Sequence, residues 1–188
     1  RFDQIHHQHY NYFTVDSVVY MLNEVGAELI NYEFNPHHWG ALMICFRKKG
    51  KNSNKYQNNN QSMTRINKDR ILEQYNLFID CMNLANRRIL SYDDKKIYGY
   101  GAALMLPLLA YYIKDFHKLD SILDDDENKN GLYYLNLPIQ IRNPKNINNL
   151  TDNVIFVTGL NSRSVLRSIS TRLIDLGVRD IIIPTNLF

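Results

Sequence analysis

Lys95-Lys96-Ile97-Tyr98-Gly99-Tyr100-Gly101-Ala102-Ala103 is the stretch that decides the fold. A short apolar run enters a pair of glycines, and Ala102 to Lys114 follows with a helical pattern. Strand, glycine turn and helix open a βαβ unit. Further along, Leu119 to Asp124 is a second strand, ending in the acidic run Asp124-Asp125-Asp126-Glu127. Val154 to Thr158 is a third strand, Arg163 to Leu176 a helix stopped by Gly177, and Arg179 to Pro184 a last strand. Strands alternating with helices predict an α/β fold with a mainly parallel sheet and right-handed crossovers.

Towards the N-terminus, Thr64 is placed to cap a long helix reaching about Tyr92, with Ile71, Tyr75, Phe78, Met82, Ala85 and Ile89 forming one apolar seam. Before it lies the polar, Asn-rich stretch Gly50 to Ser62, which has almost nothing to bury and reads as a linker. Val18, Val19, Met21, Leu22, Val25 and Leu29 recur at helical spacing, with Thr14 or Asp16 as N-cap. Two β-like runs, Leu29 to Phe34 and Ala41 to Arg47, flank a turn punctuated by Pro36 and Gly40. Phe2 to Phe13 reads as a loop or short strand. The expected organisation is a first piece over 1–49, a linker over 50–62, and a long helix with an α/β domain over 63–188.

Composition narrows the function classes. A 45% apolar chain with 13 Tyr and 8 Phe can bury a core. Its net charge of +3 is small and its basic residues are scattered, which argues against a nucleic-acid partner. No apolar run approaches a membrane span. Cys45 and Cys81 each sit in an apolar run and read as buried free thiols of a reducing compartment, so the expected location is cytoplasmic. The chain starts at Arg1, inside a motif-bearing stretch, as a fragment of a longer protein would.

Five of the six histidines are His6, His7, His9, His37 and His38. An imidazole titrates near neutrality, so a positioned one can carry a proton at working pH. Three readings stand side by side: loop histidines satisfied by backbone, a metal site without recognised ligand spacing, and a proton-transfer site. Gly99-x-Gly101 between strand and helix lets the backbone approach a ligand, with the helix N-terminus facing a phosphate; the alternative is a tight turn with no ligand. The acid at Asp124 stands where a dinucleotide unit contacts a ribose, although a third glycine is missing and Leu104 is near its place. Asp124 to Glu127 reads equally as a solvated turn. Asn161 and Arg163, after the strand ending at Thr158, face the same crevice or simply open a helix.

The segment from Phe2 to Phe13 resembles the FDxIYHEHxxYFS segment of sugar C-methyltransferases, matching at Phe2, Asp3, Ile5, His7, His9, Tyr12 and Phe13. The family's HGG-type turn is echoed at Pro36, His38, Gly40 and Leu42. Its GYGAA turn is intact from Gly99 to Ala103. Its DDNPxKxGxY segment is echoed from Asp124 to Tyr133, and its PI pair by Pro138-Ile139. The helix, strand, turn and strand of the first piece also agree with the way methyltransferase sheets finish. The resemblance implies a nucleotide-sugar substrate, S-adenosylmethionine as cofactor, no resident metal, and His9 as the base that removes a proton beside a sugar ketone. Most of the cofactor's site would lie upstream of these residues. Gln8 and His6 replace the family's Glu and Tyr. Gln8 cannot ionise, so it can orient the imidazole or the sugar but cannot tune His9 as a carboxylate would. Tyr10, His38, Gly99, Tyr100, Gly101, Asp124, Asn161 and Arg163 are the implied substrate-contacting residues, with His9 and the glycine turn expected to serve one bound sugar. A non-catalytic nucleotide-sugar-binding module and an NAD-dependent oxidoreductase are the alternatives.

Overall fold

The computed structural model describes residues 10–36, 40–50, 68–159 and 163–184, and for Arg163 and Ser164 the backbone only. They fall into two compact units divided between Leu72 and Glu73.

In the first unit, α1 (Val15–Glu24) starts at a capping box. Thr14 Oγ1 accepts from the Ser17 N–H at 3.1 Å, and Ser17 Oγ accepts from the Thr14 N–H at 2.9 Å, satisfying two end donors reciprocally. The apolar spacing that continues to Val25 and Leu29 does not prolong the helix. The chain turns at Gly26, whose φ of +69° suits a residue without Cβ, and Leu29 belongs to a strand. β1 (Ala27–Asn35) pairs antiparallel with β2 (Ala41–Lys48), from Ala27 opposite Lys48 to Asn35 opposite Ala41. Leu22, Ala27 and Leu29 form this unit's small core, and the buried Glu28 carboxylate holds Arg47 Nε at 2.6 Å. Cys45 is exposed on β2, because a hairpin of two strands has little to cover its faces; Cys81 is only half-buried, and both are free. The expectation of two buried thiols is thereby corrected.

The second unit is built on a six-stranded sheet. Its parallel members are β3 (Ile97–Tyr100), β4 (Leu119–Leu123), β6 (Leu137–Arg142), β7 (Val154–Val157) and β8 (Asp180–Ile182); the two-residue β5 (Tyr133–Tyr134) runs antiparallel to β6. Across the sheet the order is β5-β6-β4-β3-β7-β8. The first parallel strand therefore lies between the second and the fourth: the chain adds β4 and β6 on one side of β3, then crosses back to add β7 and β8 on the other. β3 and β7 are apolar and buried along their whole length, as strands inside a parallel sheet are.

Helices supply the rest of the core. From α2 (Lys68–Leu90), Met82, Ala85 and Ile89 are buried against it. The C-terminal half of the expected seam is thus used, while Ile71 stays 48% exposed. Asn86 ties α2 to the turn after the next helix by two 2.8 Å bonds with Asp115. That helix, α3 (Leu106–Tyr112), contributes Leu106 and Leu109, and α4 (Arg163–Asp175) contributes Leu173. Gly177, at φ +75°, ends α4 and donates to the Ile174 carbonyl at 2.8 Å. Among the described residues no helix is long and apolar enough to cross a membrane.

Candidate functional site

Between β3 and β7 the strand order changes direction: β4 and β6 lie on one side of β3, and β7 and β8 on the other. Tyr100 is the last residue of β3, and Val157 beside it is the last of β7. Gly101 and Gly159 then bring the two backbones into contact. A Cβ on Gly101 would stand 2.5 Å from Gly159 Cα, and Gly101 also has φ +102°, so only glycine fits. Thr158 stitches the pair: its N–H and that of Gly159 both donate to the Tyr100 carbonyl at 2.9 Å, and its hydroxyl donates to the Gly101 carbonyl at 2.7 Å.

The glycine turn differs from the sequence expectation in two ways. First, α3 starts at Leu106, not Ala102. The polar groups that a longer helix would use are bonded elsewhere. The Ala102 N–H donates to Asp124 Oδ2 at 2.8 Å, Lys129 Nζ donates to the Ala102 carbonyl at 3.2 Å, and the Tyr134 hydroxyl donates to the Ala103 carbonyl at 3.1 Å. Pro107 then fits the first helical turn, where a missing N–H costs nothing. Second, the turn does not hold its amides open. The Gly101 N–H donates to the Leu123 carbonyl at 2.8 Å and the Ala103 N–H to the Gly101 carbonyl at 3.1 Å. An array of free N–H groups waiting for a phosphate is not what Gly101 to Ala103 present.

The acidic segment explains where those groups went. Asp124 Oδ1 accepts the Asp126 N–H at 3.0 Å, while Oδ2 accepts both the Ala102 N–H and Lys129 Nζ, the latter at 3.0 Å. Its oxygens thus accept three hydrogen bonds inside the fold. Asn130 Oδ1 accepts the Asn143 N–H at 2.9 Å, and Gly131, at φ +85°, donates to the Ile141 carbonyl at 2.8 Å. Asp124 to Tyr134 and Gly99 to Ala103 therefore form one mutually bonded unit.

Asp125 is used differently. Its Oδ2 accepts the Tyr100 hydroxyl, and it grips Arg172 of α4 through Nε at 3.2 Å and Nη2 at 2.9 Å. Burial and then the bond to Asp125 push the Tyr100 phenol well above its ordinary range. The Arg172 guanidinium holds the Asp125 carboxyl below the usual carboxylate range. Neither role was visible in the sequence. Arg172 follows Asp125 by 47 positions, and only the topology brings them together.

Of the residues singled out from sequence, Gly99, Tyr100, Gly101 and Asp124 gather here. Gly99 faces the interior of the sheet, where a Cβ would overlap Ile122, so it is a packing glycine rather than a ligand contact. Tyr10 is 88% exposed in the first unit. His6, Gln8, His9, His38 and Asn161 lie outside the described residues, as does the Arg163 side chain, although Arg163 opens α4. Among the described residues no group of three His, Cys, Asp or Glu side chains could hold a metal ion. Among the described residues of the first unit, Gly26, Gly40 and Gly50 have open space at the Cβ position. No protein-family model matches the chain, and no curated protein matches it.

Proposed function

We propose that the chain is the C-terminal part of a sugar C-methyltransferase, whose second unit is a Rossmann-like domain that binds a nucleotide-linked sugar and whose first unit carries the base His9. The observation that carries the reading is the change of direction in strand order between β3 and β7, at whose carboxyl ends the backbones of Gly101 and Gly159 touch. In open α/β sheets ligands bind outside the carboxyl ends of the strands, where connections leave in opposite directions. The five parallel strands stand in the order third, second, first, fourth, fifth, which is the dinucleotide-type arrangement with such a point beside the first strand. The motif resemblance adds the substrate class.

In this reading His9 accepts the proton from the carbon beside a sugar ketone, and Gln8 holds the imidazole or a sugar hydroxyl by hydrogen bonding. S-adenosylmethionine supplies the methyl group and is held by residues other than those described. The NAD alternative is less well supported, because Asp124, the acid it needs for a ribose, is already committed to Ala102, Asp126 and Lys129. The test is methyl transfer to a nucleotide-linked ketosugar by the full-length protein, alongside calorimetry with UDP- and dTDP-linked sugars. His9→Ala is expected to lower turnover by about 10²–10⁴-fold while leaving the sugar's affinity within a few-fold. Unchanged turnover would remove the base assignment, and failure to bind any nucleotide-sugar would remove the reading as a whole.

A further inference from the structure

We infer that Arg172 is the anchor for the anionic, diphosphate part of the ligand, in place of the backbone amides of the glycine turn. The inference rests on the reading of the second unit as a nucleotide-sugar domain and adds a cation to it whose side chain is described. Three observations lead to it.

The turn itself has nothing to offer, since the N–H groups of Gly101, Ala102, Ala103, Thr158 and Gly159 all donate within the fold. Lys129, a cation bonded to the turn, is shared between Asp124 and the Ala102 carbonyl. Arg172 bonds Asp125 through the side edge of its guanidinium, Nε and Nη2, and also meets the Tyr100 hydroxyl. Nη1 takes no part in the bonds to Asp125, and a planar guanidinium can serve a second oxygen anion from that end. The side chain as a whole is 38% exposed.

Its position fits the role. Arg172 lies one helical turn from Ile169, whose Cδ1 is 3.5 Å from the Cβ position of Gly159, just past the end of β7. Asp125, itself held by the Tyr100 hydroxyl, orients the guanidinium before any ligand arrives, which reduces the ordering cost of binding. Lysine could supply charge there but not a fork with two separate faces.

Calorimetry on the full chain with pyrophosphate, UDP and dTDP tests the assignment, comparing Arg172→Met, Arg172→Lys and Tyr134→Phe. Arg172→Met is expected to weaken all three ligands roughly tenfold or more, the worth of one charge-assisted hydrogen bond. Arg172→Lys should recover part of that loss. Tyr134→Phe removes the bond to the Ala103 carbonyl without touching Arg172 or Asp125 and should stay within about threefold, so a general loosening of the fold would not reproduce the pattern. Equal weakening by Arg172→Met and Tyr134→Phe, or no weakening by Arg172→Met, overturns the inference while leaving the nucleotide-sugar reading standing. Pyrophosphate bound through Arg172 with no affinity for either nucleotide upholds the anchor and removes the nucleotide-sugar reading. No binding of any of the three by the unaltered chain overturns both.

Discussion

Asp125 joins a phenol, a guanidinium and the end of a strand, and its charge makes the arrangement depend on pH. Its native pKa is depressed, so the stability it contributes is present above the ordinary carboxylate value near ~4 and is lost as pH falls through the native value. Asp125 and Arg172 are 45% and 38% exposed, and solvent screening limits the pair to about 1 kcal/mol or less. Asp125→Asn should therefore lower the denaturant midpoint at pH 7 by a small amount, and the gap should narrow as the pH falls below the ordinary carboxylate value. A gap that stays constant as the pH is lowered would mean that shape, not charge, is what the substitution removes. At this scale the sequence was partly legible. Gly101 could be read as a special glycine, because glycine between strand and helix has few other uses. Asp124, read from sequence as facing a ribose or lying in a solvated turn, bonds the Ala102 N–H, the Asp126 N–H and Lys129, a use that its sequence position does not report.

At the scale of elements, the bracing of the glycine turn by the segment after β4 makes its own prediction. Tyr134→Phe deletes the bond to the Ala103 carbonyl and should cost about 1 kcal/mol. It should also speed amide hydrogen exchange at Ala102 to Leu104 well beyond any change in the strands. Exchange that rises uniformly across the sheet would show that the tyrosine supports the whole unit rather than the turn. Local signals decided which elements the sequence revealed. α4 was legible because its apolar spacing ends at Gly177, and β7 because four apolar residues stand between polar ones. β6 was passed over. Ile139 and Ile141 alternate inward as a strand requires, yet Pro138 lacks the N–H of a ladder residue and disguised the run. α3 was drawn too long, because spacing cannot report that side chains from Lys129 and Tyr134 hold the carbonyls of its first turn.

At the scale of the molecule, stability is unevenly divided. Among the described residues, the larger buried cluster runs from Met82 to Ile182 and the smaller consists of Leu22, Ala27 and Leu29. A polypeptide limited to residues 73–188 is expected to unfold cooperatively in denaturant, and one limited to 10–50 to show no cooperative transition, since two strands and a helix bury too little. Loss of cooperativity in the 73–188 piece would show that its core needs more than it contains. The α/β class and the alternation of elements were legible from hydrophobic pattern. The strand order was not, because it depends on pairings between residues far apart in the chain.

The lengths of the outermost strands bear on behaviour in concentrated solution. β5 has two residues and β8 three, with Asp180 of β8 bound to Lys95, so neither margin of the large sheet offers much ladder for a foreign strand to extend. The hairpin is the opposite case. Its strands have nine and eight residues, and Ile30, Phe34, Met43 and Phe46 are each about half exposed. If this chain forms fibrils on ageing, cross-β growth should start from Ala27–Asn35 and Ala41–Lys48, and a single lysine at Phe46 should delay it.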